Sequence, residues 1–281
     1  MKKAITVITT LFSICLTTYA QDVKSVLWKV EHPKTATTSY LVGTLHMICA
    51  DDFNMPQKIT QAVGNVDQVI LEVNLTDPAE MQAMQAATST AEPISKTLTA
   101  DQLKSLNEKL GPLLGMPVET FDAYGLMMLF NFSIIKTLAC TDIKSYETEI
   151  IQLALQNELP IKSLENVKQQ LEVMNQSYST ADLYQQLLSM NQYGQDFNQA
   201  IQHYLKEDLA ETVRLISQDA YMTPVAKKVM VHDRNHNWIT QLDSILPNQK
   251  TLVAVGAAHL VGSNGLIELL RAKGYKVTAV N

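Results

Sequence analysis

Apolar residues gather in five short, nearly continuous runs towards the two ends of the chain: Leu27–Glu31 (LWKVE), Ser39–Leu45 (SYLVGTL), Gln68–Val73 (QVILEV), Thr251–Val255 (TLVAV) and Lys276–Val280 (KVTAV). Runs of this length, rich in Val, Leu and Ile, predict β-strands, and their continuous character predicts strands covered on both faces, as in α/β layers. Pro33–Thr38 (PKTATT) reads as a hairpin loop between the first two. The middle of the chain has another period. Leu103, Leu106 and Leu110 precede Gly111-Pro112, Ile150, Ile151, Leu153, Ala154 and Leu155 precede Pro160, and Leu183, Leu187, Leu188 and Met190 precede Gly194. Each group recurs at three and four, the spacing of a helix face. One strand, Pro160–Leu164 (PIKSL), interrupts them and ends at Glu165. The pattern predicts a mixed α/β fold. A central mixed sheet draws strands from both chain ends and from 160–165, a helical insertion fills about 76–220, and the shared sheet makes residues 21–281 one domain.

Composition agrees with a layered globular chain: of 281 residues 46% are hydrophobic and 18% charged, with 10 Gly and 9 Pro, which excludes collagen-like, low-complexity and wholly disordered chains. A net charge of −6, from 22 basic and 28 acidic residues without a Lys/Arg block, removes the electrostatic case for a nucleic-acid partner. Met1-Lys2-Lys3, the apolar Ala4–Leu16 and the small Thr18 and Ala20 before Gln21 read as a secretory signal peptide over 1–20, with an uncleaved anchor as the alternative. Ile14 directly before Cys15 is a poor match to a lipoprotein cleavage site. No later run reaches the roughly 20 apolar residues of a membrane span. Export is therefore expected, to the periplasm, the medium or the cell surface, and loss of Lys2 and Lys3 takes the net charge to −8. Cys49 and Cys140 then remain, and in an oxidising compartment a disulfide between them is expected, the alternative being two separate buried thiols.

Two of the predicted strands end alike. Tyr40–Met47 (YLVGTLHM) and Leu252–Leu260 (LVAVGAAHL) both run into Gly-x-x-His, giving Gly43 with His46 and Gly256 with His259. In layered α/β folds ligands bind where strands end, and glycine lets backbone approach closely there. Two imidazoles delivered this way can meet although 213 positions separate them. A lone strand-end histidine is commonly a core or rim residue with a satisfied hydrogen bond; a matched pair points to a metal, for which imidazole is the commonest ligand. Glu72 adds a carboxylate between Leu71 and Val73, where burial calls for a positive partner. His46, Glu72 and His259 are thus candidate ligands of one divalent ion, Mn²⁺, Co²⁺ or Zn²⁺, with a position open for water. His232-Asp233-Arg234-Asn235-His236 is a rival, spaced like His-Glu-x-x-His with Asp for Glu; a solvated helix face is its plainer reading. Glu147 and Glu149 follow Ser145 at a helix start, where capping and the helix dipole account for acids. Glu165, closing the internal strand, is a candidate supporting group, whereas His32 and His203 have no partner at ligand spacing.

Gly43-Thr44-Leu45-His46, Leu71-Glu72, Arg234-Asn235 ahead of a helix with Trp238, and Gly256–Leu260 (GAAHL) together resemble the TraB/GumN family, whose relatives include the Tiki metalloproteases. The resemblance covers about residues 26–281 and extends to Ser145-Tyr146-Glu147, Ser163-Leu164-Glu165 with Gln170, and Gly265, Leu269-Leu270 and Gly274-Tyr275. It implies a mixed α/β fold with the two Gly-x-x-His motifs facing one another and, for Tiki-like members, divalent-metal-dependent peptide hydrolysis. Carried over by position, it implies His46, Glu72 and His259 as site residues and Arg234 and Asn235 as accessory groups, with His232 and His236 outside the site. The expected function is an exported metal-dependent hydrolase acting on a peptide or a small amide or ester. Glu72 would be a ligand or the base that deprotonates a bound water, and Arg234 would steady the oxyanion or a substrate carboxylate. The same residues allow an alternative, a non-catalytic periplasmic or surface protein that binds a peptide signal or a haem-like ligand.

Overall fold

The computed structural model describes residues 24–35, 37–88, 91–138 and 140–281, so the leader read at 1–20 lies outside it. Among the described residues eight strands form: β1 (Leu27–Glu31), β2 (Thr38–Thr44), β3 (Ile48–Cys49), β4 (Gln68–Leu71), β5 (Ile143–Lys144), β6 (Ile161–Ser163), β7 (Thr251–Gly256) and β8 (Lys276–Ala279). Six of them make one mixed sheet in the order β6-β4-β7-β2-β1-β8. Its β6-β4-β7-β2 part is parallel, and β1 and β8 extend it by antiparallel pairing. The β1–β2 hairpin pairs Leu27 with Val42 and Glu31 with Thr38.

Successive strand residues point to opposite faces, so a strand buried at every position is covered on both. That holds for β4 and β7, and the continuous apolar runs follow from it. The helices Gln57–Val63, Tyr146–Gln156, Arg234–Ile245 and Leu266–Ala272 contribute Ile59, Ile150, Trp238 and Leu270 to the core around the sheet.

The region between β4 and β7 is mostly helical and carries a second hydrophobic cluster of its own, built around Leu106, Leu110, Leu129, Leu183 and Leu187. Two helices run past residues read as their ends. Ala100–Leu114, started by a Thr99/Gln102 capping box, continues through Gly111-Pro112 to Gly115, whose φ of 71° closes it with a bond to the Gly111 carbonyl. Pro112 sits in the last turn, where the helix is about to stop. Met190–Tyr204 continues through Gly194 because that glycine serves contact: a Cβ there would stand 2.6 Å from Thr137 Cβ on the Gly125–Thr137 helix.

A two-stranded ribbon, β3 with β5, lies apart from the main sheet. Cys49 of β3 is bonded to Cys140, with the Cα atoms 5.8 Å apart, and the bridge ties the chain leaving β2 to the end of the Gly125–Thr137 helix. Among the described residues no helix is long and apolar enough to cross a membrane.

Candidate functional site

Four neighbouring parallel strands release the chain at one edge of the sheet, each beside a candidate residue. His46 follows β2 by two positions, Glu72 follows β4 directly, Glu165 follows β6 by two and His259 follows β7 by three. The register sets Thr44 beside Gly256, and Leu71 beside both Ala254 and Ser163. The crevice outside the carboxyl ends of parallel strands is where layered α/β folds hold ligands.

Glu72 is shared by most of the cluster. Its Oε1 accepts the Gly256 N–H at 2.7 Å, and its Oε2 accepts from Arg234 Nη2 at 2.6 Å and from Gln170 Nε2 at 3.2 Å. The guanidinium, 8% exposed, also donates through Nε to Glu165 and through Nη1 to the Met230 carbonyl and to His259 Nε2, the last two at 3.1 Å. Glu165 further accepts from Trp238 Nε1 at 2.9 Å. Arg234 and Asn235 open the Arg234–Ile245 helix, which continues directly from a π-helical turn over Lys228–Asp233.

The hydrogen bonds fix both imidazoles. Asn235 Nδ2 donates to the carbonyls of His259 and Asn264, at 3.0 and 2.7 Å, so Asn235 Oδ1 is the atom 2.7 Å from His259 Nδ1. That nitrogen carries the proton, and the Nε2 lone pair is left 3.8 Å from Glu72 Oε1. On His46 the partner is Glu147, whose ionised carboxylate only accepts, so Nδ1, at 2.7 Å, is again the protonated atom. Glu147 is steadied by the hydroxyls of Thr44 and Ser145. A Cβ on Gly256 would stand 3.1 Å from His46 Nε2 and 3.4 Å from Glu72 Oε1, so the missing side chain keeps the space beside both donors open.

Burial opposes ionisation of Glu72, but His259, Arg234 and His46 outweigh it and hold the carboxyl at about 2. Burial, helped by Arg234, drops His259 to about 3, so that imidazole is neutral at pH 7 and the lasting cation beside Glu72 is the guanidinium. The Glu147 carboxylate raises the pKa of His46; with 64% of that side chain exposed, water screens the pair.

This donor set suits a divalent cation. Two imidazole nitrogens and one carboxylate oxygen are each held from behind by Glu147, Asn235 and Gly256 N–H, the support that metal ligands need. Two carboxylates, of Glu72 and Glu165, pair with the Arg234 guanidinium, and a third, of Glu147, pairs with His46. Among the described residues no three His, Cys, Asp or Glu side chains are drawn in to ligand spacing. Arg234 Nη1 occupies the His259 lone pair, so an ion bound to His259 Nε2 must displace that one N–H.

The other sequence candidates fall elsewhere. Gly43 is a packing residue: a Cβ would meet Leu209 Cδ1 at 3.1 Å and Leu260 Cδ2 at 3.2 Å. His232 lies in the π-helical turn, outside the cluster, and His236 is hydrogen-bonded to Asn264 Oδ1 at 3.1 Å. His32 accepts N–H bonds within its own turn, and His203 lies 3.7 Å from Asp208. Glu147 lies in the first helical turn after Ser145, as the sequence predicts, and its bond to His46 is the contact that sequence reasoning missed. Ser145 does cap the helix through Thr148 N–H, which leaves Glu147 free to reach His46; Glu149 pairs with Lys144. A cap already complete without its neighbouring acid was the available signal.

The site lies in the wall of a cleft of about 310 Å³ whose remaining lining is largely apolar. Zebrafish (Danio rerio) proteins named Metalloprotease TIKI2 and Metalloprotease TIKI1 are 23% and 24% identical to this chain, over 92% and 91% of its length. The chain spans about three-fifths of these relatives, 61% and 63%. A protein of Escherichia coli (strain K12) named Uncharacterized protein YbaP is 21% identical over 83% of the chain and 87% of its own length. No solved structure matches. Residues 26–279, from just before β1 to the end of β8, match the TraB/PrgY/gumN family, and a match of that extent, over the sheet and all four strand ends that carry the cluster, makes the chain a member of that family.

Proposed function

We propose that the protein is a divalent-metal-dependent hydrolase of the peptidase type, with His46, Glu72 and His259 as the ligands. The observation that carries this reading is that two imidazoles, both with Nδ1 committed to a partner behind them, leave Nε2 on the side of one carboxylate, Glu72. When bound, Mn²⁺, Co²⁺ or Zn²⁺ acidifies a coordinated water and polarises a carbonyl. Glu147 and Asn235 keep the Nδ1 protons away from the ion. Glu72, with both oxygens hydrogen-bonded and its carboxyl at about 2, suits a ligand better than a general base, whose pKa should lie near the working pH. Arg234 Nη1, once released from His259, is the donor left to steady an oxyanion or a substrate carboxylate, while Nε and Nη2 stay on Glu165 and Glu72.

The names of the zebrafish relatives support a peptide substrate over another amide or ester. Export to the periplasm, the medium or the cell surface is supported by the Cys49–Cys140 disulfide, a bond that persists in oxidising compartments. The test is metal analysis and peptide digestion with purified wild type, His46→Ala, His259→Ala and Glu72→Gln. Loss of both metal and cleavage in the variants is expected; cleavage equal to wild type overturns the reading. One observation favours a second reading, binding without turnover: Arg234 Nη1 already sits on the His259 lone pair. That reading expects the wild type to bind peptide while holding no metal and cutting nothing.

A further inference from the structure

The Gly125–Thr137 helix (GLMMLFNFSIIKT) is apolar on more than one side, although a helix packed on a single core needs only one apolar stripe. Leu126, Leu129 and Ser133 are buried, and this side packs against the Ala100–Leu114 and Thr180–Leu188 helices. Met127, Phe130, Asn131 and Ile134, at i, i+3, i+4 and i+7, form the second stripe. They are half-buried and line the cleft that also contains His46, Glu72 and His259.

Three properties define an occupant. A volume of about 310 Å³ is at the small end of ligand cavities, enough for a side chain or two and too little for a folded partner. Away from His46, Glu72, Arg234 and His259 the lining is apolar and adaptable, with Met174 and Met230 added to the helix stripe, so a charged group entering that part loses hydration without gaining a partner. Asn131 makes no side-chain hydrogen bond among the described residues, and its amide offers the donor and the acceptor that a peptide group requires.

We propose that the cleft is a side-chain pocket that selects peptides carrying a bulky uncharged residue, such as Phe, Met or Leu, next to the bond presented to His46, Glu72 and His259. Met127, Phe130 and Ile134 contact that side chain, and Asn131 pairs with the adjoining peptide group. These four are specificity residues. The assignment rests on the hydrolase reading for the bond that is cut; the side-chain preference is measurable without cleavage.

The experiment uses fluorescein-labelled hexapeptides identical except for Phe, Gly, Asp or Lys at one position scanned along the sequence. Binding is read by anisotropy and cleavage by mass spectrometry, with wild type and Ile134→Glu. At the position that enters the pocket, wild type is expected to bind the Phe peptide about tenfold or more tighter than the Gly and Asp peptides, from apolar burial. Ile134→Glu should reverse the order in favour of Lys. Discriminated binding without cleavage sinks the hydrolase reading and leaves the pocket standing. Cleavage indifferent to Phe, Gly and Asp at every position overturns the pocket and spares the hydrolase, and indifferent binding without cleavage overturns both. No binding of any peptide overturns both. The comparison among peptides on wild type stands on its own should Ile134→Glu fail to fold.

Discussion

Replacing Arg234 by Met keeps much of the stem and removes the charge. The guanidinium reaches Glu72 at 2.6 Å and Glu165 at 2.9 Å, and these side chains are only 12% and 8% exposed. The Glu72 carboxyl is held at about 2 against an ordinary 4.5, with His259, Arg234 and His46 as the charges that lower it. His259 is neutral at pH 7, so at that pH it does not balance the Glu72 charge as the Arg234 guanidinium does. Removing one member of a buried ion pair costs about 3–5 kcal/mol, because the remaining charge is uncompensated. The folded pKa of Glu72 is depressed, so its stabilising contribution is complete above about 4.5 and is lost as pH falls towards 2. Without Arg234, burial pushes the same carboxyl up, and the penalty is greatest at neutral pH and relieved by protonation. The stability gap between wild type and Arg234→Met therefore narrows on acidification. Urea unfolding of EDTA-treated protein at pH 7 and pH 4 measures it, with a loss of about 3 kcal/mol expected at pH 7 and a smaller one at pH 4. A gap below about 1 kcal/mol at pH 7, the range of exposed pairs, or an equal gap at both values, refutes this account of the cluster.

Gly256→Ala places a Cβ 3.1 Å from His46 Nε2, but the exposed ring can swing outward, so stability should fall by less than about 1 kcal/mol while metal retention and cleavage drop; unchanged metal content would count against the site. Asn235→Ala strips three hydrogen bonds from buried groups around His259 and should cost at least about 1–3 kcal/mol by urea unfolding, with metal affinity down about 10–100-fold by competitive chelation. Gly194→Ala drives a Cβ to within 2.6 Å of Thr137 and should destabilise by about 1–3 kcal/mol, with Thr137→Gly restoring part of the loss in a double-mutant cycle. Cys49→Ser opens a link between residues 91 positions apart and should cost about 2–4 kcal/mol, an effect that disappears when wild type is compared under reducing conditions.

The strand ends were legible because both signals are local. A continuous apolar run marks a strand covered on two faces, and Gly-x-x-His directly after it puts an imidazole at the sheet edge; β2, β4, β6 and β7 lie within a few residues of their predicted bounds. Glu147 was not legible, because its partner His46 is 101 positions away and its place in a first helical turn already had a sufficient local explanation. The path through Pro112 and Gly194 was misread for a related reason: a breaker residue reports only its own conformational preference, whereas Gly194 is set by the approach of Thr137. The Gly125–Thr137 helix shows the limit of periodicity. When nearly every position is apolar, the 3.6-residue period cannot separate the side facing protein from the side facing a cleft.

The same helix explains how chemistry and selectivity can be divided within one fold. Glu72 and His259 follow strands whose residues are buried on both faces, and His46 follows one buried over its last four positions, so their backbone has little freedom to shift. The cleft stripe at 127, 130, 131 and 134 instead alternates with core positions 126, 129 and 133 on one helix, and its side chains are half-buried. A substitution on that stripe changes what the cleft accepts without passing through the hydrogen bonds that orient either imidazole, because none of the four residues bonds to His46, His259, Glu147 or Asn235. A substitution at Asn235 or Glu147 does the reverse, freeing an imidazole while leaving the apolar wall intact. Side-chain preference and metal retention should therefore separate by residue: Ile134→Glu moves the first and spares the second, and Asn235→Ala moves the second and spares the first.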